Sequence, residues 1–247
     1  MVNRLDVMKR ATRPVDHSEL TANVIHLDGD ESVNSKMTVW SDPCNECFAY
    51  TTGNTLWGAS HELIDFLKDV EPAFQGRAFD LGAGTGACGL FLWLHGASSV
   101  TLTDVELGLL RFNIAHNLDL GHRRGASRDI CAKTVDWTEP ATARAALGEE
   151  AEPIGLIVGA EISYDSELHG PFIETLLILT ARGPTQGREE AVCTVLLAVP
   201  HRDEDRALIQ AATARGFQAE LAKLCAPTPE HSSEIGIYRL TPPQAVR

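Results

Sequence analysis

The sequence predicts an α/β protein built on a doubly wound, mostly parallel sheet of seven strands with an antiparallel last strand. Short apolar runs alternate with helical segments over most of the 247 residues, which is typical of such a sheet. One run, IGLIVGA at 154–160, is apolar throughout, as expected of a strand buried on both faces. A glycine-rich turn at 82–86 follows the first of these runs and opens a helix.

The N-terminal residues 1–50 are predicted to form an extension of a domain that spans 51–247. Their polarity before about Val24 predicts poor order. The segments NVIHLDGD and SKMTVWSD predict two short strands around a turn at Asp28–Gly29–Asp30.

The domain then follows a regular alternation of helices and strands. A helix in 51–70 carries apolar residues at helical spacing and is stopped by Pro72; these residues are Leu56, Leu63, Ile64, Leu67 and Val70. The predicted strands are RAFDL, SVTLTD, ICAKTVDW, IGLIVGAE, AVCTVLLAVP and an antiparallel pair, QAELAKL and IGIYRL. The predicted helices are ACGLFLWLHGA, ELGLLRFNIAHNLDL, LHGPFIETLLILTAR and EDRALIQAATARGF, with ATARAALGEE as a helix or a surface insertion. The second of these helices has one apolar stripe, made of Leu107, Leu110, Ile114 and Leu118.

Composition excludes several classes of function. A formal net charge of −13 argues against nucleic acid or an anionic membrane as partner, and either favours a basic partner or only confers solubility. No apolar run approaches the ~20 residues that a membrane span needs. The six cysteines show no disulfide framework, and Cys44 and Cys47 form a lone C-x-x-C, so we expect reduced thiols and no metal site. Reduced thiols are typical of the cytoplasm, and a nuclear location is also compatible. We expect a monomer.

The glycine loop AFDLGAGTGACG, at 78–89, can be interpreted in two registers. From Gly84 it spells G-x-G-x-x-G, the dinucleotide pattern, and from Asp80 it spells D-x-G-x-G-x-G. In both registers Asp104 follows at about the spacing at which an acid accepts the ribose hydroxyls of an adenosine. The loop therefore predicts an adenosine-containing ligand and leaves open whether it is NAD or S-adenosyl-L-methionine.

Asp80 favours the second ligand. A pyrophosphate beside this carboxylate would be repelled, whereas the ammonium and sulfonium of S-adenosyl-L-methionine would be attracted. In that register Gly89 serves to ease helix packing against the sheet. The alternative is that Asp80 interacts with the N-terminus of the following helix.

Five polar or aromatic residues end predicted strands and so share one edge of the sheet, where ligands of such folds bind. They are Asp80, Asp104, Asp136, Trp137 and Glu161. Four candidate residues also have a structural alternative: Trp57 and Trp137 as core aromatics, Glu161 as a helix cap, and Tyr164 as a helix-start residue that bonds a loop. Their joint position favours a site.

The chain resembles the seven-strand class I methyltransferases, and within them the lysine-directed protein methyltransferases of methyltransferase family 16. The resemblance runs roughly from Thr52 to Leu240. Four segments carry it: TGNTLWGASHELIDFL, FDLGAGTGACGLFLWLHGASSVTLTD, VDW and VGAEISYD, the last with the D/E-x-x-Y pattern filled by Glu161 and Tyr164. The chain departs from the group at three positions. Glutamate is commoner at the position of Asp80, aspartate at the position of Glu161, and apolar residues at the position of Ser163.

The resemblance implies a role for each matching residue. The backbone of Gly82, Ala83, Gly84 and Ala160 would contact the methionine part of S-adenosyl-L-methionine. Asp104 would bind its ribose, Trp137 with Asp136 would cover its adenine, and Trp57 would pack against it. Asp80 and Gly86 complete the predicted cofactor site, and Glu161 and Tyr164 would face the substrate.

The resemblance also implies an activity, with S-adenosyl-L-homocysteine as product. The expected reaction is methyl transfer to a lysine of a protein substrate, with lysine-rich sequences as candidates. Glu161 would hold the amine without being a simple general base, because its charge also favours the ammonium form. Three alternatives stay open: transfer to a small amine or to protein histidine, an NAD-binding oxidoreductase, and a non-catalytic binding protein.

Overall fold

The computed structural model describes residues 17–28, 32–49, 51–70, 74–127, 129–148, 152–181 and 193–243. Within these ranges nine strands and six α-helices follow one another along the chain. They are β1 (Thr21–His26), β2 (Lys36–Ser41), α1 (Gly58–Val70), β3 (Arg77–Leu81), α2 (Ala87–Leu94), β4 (Ser99–Asp104), α3 (Gly108–Arg124), β5 (Ile130–Thr134), α4 (Pro140–Leu147), β6 (Ile154–Ala160), α5 (His169–Thr180), β7 (Thr194–Pro200), α6 (Asp203–Ala214), β8 (Gln218–Cys225) and β9 (Ile235–Thr241).

Seven of the strands form the predicted sheet, in the order β5-β4-β3-β6-β7-β9-β8. Strands β3 to β7 are mutually parallel, and β9 is antiparallel to both β7 and β8. Successive residues of β3 enter opposite cores: Ala78 packs on one face of the sheet and Phe79 on the other. The chain order reverses between β3 and β6, and such a switch point opens a crevice at the carboxyl ends of the strands.

The two strands predicted in the N-terminal part pair as an antiparallel hairpin of β1 and β2. The fold begins earlier than the predicted limit near Val24, since a 3₁₀ turn at His17–Glu19 precedes β1. Of the predicted turn at Asp28–Gly29–Asp30, only Asp28 is among the described residues. The boundary predicted between extension and domain at 50/51 stays a prediction.

The predicted apolar stripe of α3 is wrong at its last residue, Leu118, whereas Leu107, Leu110 and Ile114 pack against the core. Leu118 is 39% exposed, while Asn113 and Asn117 are buried. Asn113 accepts a hydrogen bond from Trp40 N and donates to Trp40 O, and Asn117 donates to Thr38 O. This face of α3 lies against the backbone of β2, which needs amide partners rather than alkyl groups.

Smaller differences concern the ends of elements. Helix α3 runs one turn past the predicted end at Leu120 and closes at Gly125, which has a φ of 72°. The described part of the segment ATARAALGEE forms a helix, α4, which ends at Leu147. Pro72 and the predicted loop GPTQGREE lie outside the described residues. In the described part of the chain, no helix has the length and apolar character to cross a membrane.

Candidate cofactor and substrate site

A cavity of about 620 Å³ opens at the carboxyl edge of the sheet, at the switch point between β3 and β6. Its volume lies within the range of small-molecule sites. Ten of the twelve predicted site residues line it, namely Trp57, Gly82, Ala83, Gly84, Asp104, Asp136, Trp137, Ala160, Glu161 and Tyr164. Asp80 and Gly86 are not among the lining residues.

The glycine loop fits between two neighbours that leave no room for side chains. A Cβ on Gly82 would lie 2.9 Å from the Trp137 ring, and one on Gly84 would lie 2.6 Å from the carbonyl oxygen of Gly53. Both glycines have positive φ angles, 65° and 53°. The loop therefore presents bare backbone to the cavity, which lets a ligand approach closely.

Asp80 lies beneath this loop rather than in the cavity wall. It is 2% exposed, and its Oδ2 accepts a hydrogen bond of 2.8 Å from Gly89 N in the first turn of α2. Burial raises the pKa of Asp80 to about 7. The structure thus shows the alternative arrangement, a carboxylate at a helix N-terminus, and an action of Asp80 on the cofactor stays a prediction.

Gly86 and Gly89 have packing roles. A Cβ on Gly86 would lie 2.5 Å from Leu110 Cδ1, and its φ of 84° is left-handed. A Cβ on Gly89 would lie 2.8 Å from Leu102, a residue of β4. The prediction that Gly89 eases helix packing against the sheet is confirmed.

Asp104 connects the end of β4 to the glycine loop. Its Oδ2 accepts a hydrogen bond of 2.9 Å from Gly84 N, and its Oδ1 accepts one of 2.8 Å from Val105 N. Burial raises the pKa of Asp104, although these hydrogen bonds oppose the shift. The carboxylate therefore fixes the loop and also contributes to the wall of the cavity.

Trp137 and Asp136 follow β5 at the neighbouring wall. The Trp137 ring packs edge-on against Phe172, with centroids 4.9 Å apart, while Asp136 accepts hydrogen bonds from the backbone and hydroxyl of Thr138. Trp137 is thus both a core aromatic and a cavity residue, and the two interpretations of it are compatible.

The segment before α1, residues 51–57, covers the glycine loop; it lies outside the α-helix predicted for 51–70, and Trp57 was its only residue with a predicted role. Thr51, Thr52, Gly53 and Thr55 line the cavity. Trp57 donates from Nε1 to Thr52 O at 3.0 Å. Trp57 and Tyr164 are 47% and 63% exposed, so two aromatic rings stand at the cavity mouth. Gly53 was the available signal, since its missing Cβ permits contact with Gly84.

Glu161 has a strained backbone, with a φ of 56° in a region that costs a non-glycine residue about 1–3 kcal/mol. Its N–H donates to Ala198 O at 2.9 Å. Burial raises the pKa of Glu161, opposed by the nearby N–H of Ala59 at the start of α1 and by the charges of Arg202 and His231. The side chain of Glu161 lines the cavity.

Ser163, which departs from the family pattern, has a clear partner. Its hydroxyl donates at 2.5 Å to Asp205, a buried carboxylate that also accepts from Arg202 Nε at 2.5 Å. This network fixes the turn that carries Glu161. Arg202 lines the cavity, whereas the neighbouring His201 is paired through Nδ1 with the Tyr238 hydroxyl at 2.9 Å.

The loop between β8 and β9 supplies the remaining wall, through Glu230, His231, Ser232 and Ser233. Sequence reasoning assigned this loop no function, because it is distant in sequence from every motif. Among the described residues, no cluster of three or more His, Cys, Asp or Glu side chains is placed to hold a metal ion.

The charges of the wall decide between the two ligands that the glycine loop allowed. The described lining contains four acids, Asp104, Asp136, Glu161 and Glu230, against two basic residues, Arg202 and His231. Both basic side chains are paired with carboxylates, those of Asp205 and Glu62. This wall fits a cationic, phosphate-free ligand such as S-adenosyl-L-methionine and does not fit the pyrophosphate of NAD.

A seven-stranded sheet of this order, with its cavity at the switch point, is the fold of the class I S-adenosyl-L-methionine-dependent methyltransferases, and this chain is one of them. The family model described as lysine methyltransferase, methyltransferase family 16, matches residues 31–206. The chain therefore belongs to that family, and its cofactor is S-adenosyl-L-methionine.

A curated relative agrees with this assignment over part of its length. The protein N-lysine methyltransferase METTL21A of Danio rerio is 32% identical over 124 residues, which are 49% of this chain and 52% of the relative. The chain thus matches about half the length of this curated relative.

Solved structures support the fold. A putative S-adenosyl-L-methionine-dependent methyltransferase from Streptococcus mutans has a TM-score of 0.57 at 12% identity, covering 90% of this chain and 55% of that one. A putative RNA methyltransferase from Pyrococcus horikoshii has a TM-score of 0.52 at 17% identity, covering 81% and 87%. At these identities the likeness concerns the fold alone.

Proposed function

We propose that this methyltransferase transfers the methyl group to a lysine side chain of a protein substrate. The observation that carries the proposal is the Glu161 carboxylate, which lines the same cavity as the exposed rings of Trp57 and Tyr164. A cavity that offers both a carboxylate and aromatic rings suits a cationic amine, which binds carboxylates by charge and aromatic faces by cation–π attraction. The name of the relative from Danio rerio, a protein N-lysine methyltransferase, supports the same acceptor.

The cofactor contacts are proposed as follows. The backbone of Gly82, Ala83 and Gly84, with that of Ala160, holds the methionine part. Asp104 accepts hydrogen bonds from the ribose, and Trp137 with Asp136 covers the adenine. Trp57 packs against the bound cofactor. Asp80 and Gly86 act from beneath by holding the loop in shape.

The protein's contribution to the reaction is mainly to position the acceptor. When bound, S-adenosyl-L-methionine supplies an electrophilic methyl group on its sulfonium. The acceptor attacks as a neutral amine, so burial at the cavity mouth helps by lowering the pKa of the lysine. Glu161 orients the amine by hydrogen bonding, and the Tyr164 hydroxyl aligns it for in-line attack. Glu161 is not a simple base, because its charge also stabilises the ammonium.

The overall charge is consistent with a basic protein partner. The net charge of −13 and the four acids of the cavity wall both attract lysine-bearing surfaces. Such attraction increases the rate of encounter with a substrate of opposite charge.

The test is transfer of a tritiated methyl group from S-adenosyl-L-methionine into a cell lysate, followed by mapping of the labelled residue. We expect label on lysine in protein. Replacing Glu161 by Gln should reduce transfer at least tenfold and leave the affinity for S-adenosyl-L-homocysteine unchanged. The matched control is Glu167→Gln, an exposed acid six positions further along, which should transfer at the normal rate.

Three results would contradict the proposal. Label only in small molecules would indicate a small-amine acceptor, and label on histidine would indicate the other protein acceptor. Binding of the cofactor without any transfer would indicate a non-catalytic protein.

A further inference from the structure

The loop between β8 and β9, residues 226–234, is a built part of the cavity wall. Thr228 and His231 exchange two backbone hydrogen bonds, of 2.9 Å and 3.2 Å, which close the loop on itself. His201 N donates to Glu234 O at 2.7 Å and fixes the end of the loop to β7. His231 is held inside this loop, is 9% exposed and lines the cavity.

The ring of His231 has an acceptor at each nitrogen. Nδ1 lies 2.7 Å from Ser233 O, and Nε2 lies 3.0 Å from Glu62 Oε1. A carbonyl oxygen and a carboxylate both accept hydrogen bonds, so each ring nitrogen must carry a proton to satisfy them. The geometry therefore describes an imidazolium paired with the carboxylate of Glu62.

This ion pair lies at the same helix end as Glu161. A Cβ on Gly58 would be 2.5 Å from His231 Cβ, so the histidine packs directly on the first residue of α1. The N–H of the next residue, Ala59, lowers the pKa of Glu161, and Glu161 lines the same cavity as His231. Glu62, one turn along α1, holds the ring from the other side.

The charges around His231, Glu230 and Glu161 come from four parts of the chain. Helix α1 contributes His61 and Glu62, and the loop itself contributes Glu230. The turn after β6 contributes Glu161, and the start of α6 contributes the ion pair of Arg202 and Asp205. Burial of the ring opposes the charge, but the hydrogen bonds to Glu62 and Ser233 O and the charges of Glu62 and Glu161 together raise the pKa of His231.

We infer that His231, held as an imidazolium by Glu62, is a positioning residue that places a positive charge in the cavity wall it shares with Glu161 and so favours the ionised Glu161 carboxylate. The link to methyl transfer rests on the proposed role of Glu161 toward the acceptor amine. The charge state of His231 and its effect on Glu161 do not depend on which acceptor the enzyme uses. Loss of the imidazolium removes a positive charge near Glu161, and this should raise the pKa of that carboxyl.

The inference is tested by nuclear magnetic resonance on the full chain, without any acceptor. In protein labelled with 15N-histidine, both ring nitrogens of His231 should be protonated at pH 7.5, and in the Glu62→Gln variant the ring should be neutral at that pH. In protein labelled with 13C at the glutamate carboxyls, Glu161 is assigned by its loss in Glu161→Gln. Its titration midpoint should move to higher pH, by about half a unit or more, in His231→Gln. The matched control is His61→Gln, which should leave the midpoint in place.

The result that would overturn the inference is a His231 ring that is neutral at pH 7.5 in the unmodified protein. An unchanged midpoint of Glu161 in both Glu62→Gln and His231→Gln would overturn it equally. Glu62→Gln retains the ring and its packing, so it serves as the test if His231→Gln fails to fold. These readouts are separate from label transfer, so failure of the lysine proposal and failure of this inference can be distinguished.

The activity readout follows the same logic once an acceptor is mapped. The acidic limb of the transfer rate should move to higher pH in His231→Gln, while the affinity for S-adenosyl-L-homocysteine stays within twofold. A purely structural role of His231 would lower the rate at every pH and leave the limb in place.

Discussion

Asp80 shows how a single buried carboxylate holds the glycine loop to the sheet. Its Oδ2 accepts the N–H of Gly89, and its own carbonyl accepts the hydroxyl of Thr103 on β4. Strand β3, helix α2 and strand β4 are thereby joined at one residue. Burial opposes the ionised form of this side chain, and the nearby charge of Asp104 adds to that effect.

This environment makes stability depend on pH in a predictable direction. The pKa of Asp80 is about 7 in the folded protein, above its ordinary value of 3.8. The folded state therefore binds the proton more tightly, so the stabilisation is complete below about pH 4 and is lost as pH rises toward 7. At about 1.4 kcal/mol for each pKa unit, the total loss is of the order of 4 kcal/mol.

The measurement compares the unmodified chain with Asp80→Asn, which keeps an acceptor for Gly89 N but cannot ionise. Thermal unfolding without cofactor should show the variant gaining stability relative to the original between pH 4 and pH 7, with no further gain above. Asp65→Asn, at an exposed acid of α1, serves as control and should show no such trend. A difference that is constant with pH would mean that Asp80 titrates normally.

Residues of the site differed in how well the sequence could locate them. Asp104, Glu161 and Tyr164 follow strands, and the topology of the sheet brings strand ends together whatever their side chains do. Asp80 also ends a strand, yet its side chain lies in the interior, because neighbouring strand positions point to opposite faces. His231 had no sequence signal, since its partner Glu62 is 169 residues away.

At the scale of elements, α3 carries the N-terminal hairpin through amides rather than through apolar packing. Asn113 bonds both the N–H and the carbonyl of Trp40 and also reaches Thr85 O, beside the glycine loop. The hairpin then leads into the segment over the cavity, where Ser41 Oγ accepts from Leu56 N and Asp42 N donates to Asn54 O. A two-stranded sheet is marginal alone, so this docking decides whether the hairpin is formed.

Replacing Asn113 by Ala should destabilise the fold by about 2–3 kcal/mol, since it leaves buried backbone groups without partners. In this variant, amides of β2 should exchange with solvent faster than those of β7. The affinity for S-adenosyl-L-homocysteine should fall a few-fold, because the segment 51–57 over the cavity loosens. Asp119→Ala, at an exposed position of the same helix, is the control and should change stability by less than about 0.5 kcal/mol. Uniform exchange across both strands would show that the hairpin is not held by this residue.

Strands and helices were predicted well where their apolar pattern in the sequence has a single physical cause. The continuous apolar run IGLIVGA identified β6 because both faces of a parallel sheet are covered by helices. Helix α3 was located correctly, but the sequence did not predict that Asn113 and Asn117 are buried, because apolar residues are the usual signal of a buried face and here the partner is a backbone. No rule of periodicity distinguishes a buried asparagine from an exposed one.

At the scale of the whole molecule, the cavity forms only when distant parts of the chain meet. The segment 51–57, the glycine loop, the ends of β4, β5 and β6, and the loop 226–234 all contribute walls. A ligand that binds there contacts every one of them in the folded state and none in the unfolded chain. Its binding therefore stabilises the fold by an amount that grows with concentration over the dissociation constant.

We therefore expect S-adenosyl-L-homocysteine to raise the melting temperature and NAD at the same concentration to leave it unchanged. At one hundred times the dissociation constant the stabilisation is about 2.7 kcal/mol. Asp104→Ala should lose most of this increase, because it removes the proposed ribose acceptor and also frees Gly84 N from its partner. Asp129→Ala, an exposed acid at the opposite edge of the sheet, should keep the full increase. Stabilisation by NAD would contradict the placement of the cofactor, because the acidic wall should exclude a pyrophosphate. An undiminished increase in the melting temperature of Asp104→Ala would contradict it equally, because the loop anchored by Asp104 is the feature that admits a cationic adenosyl group.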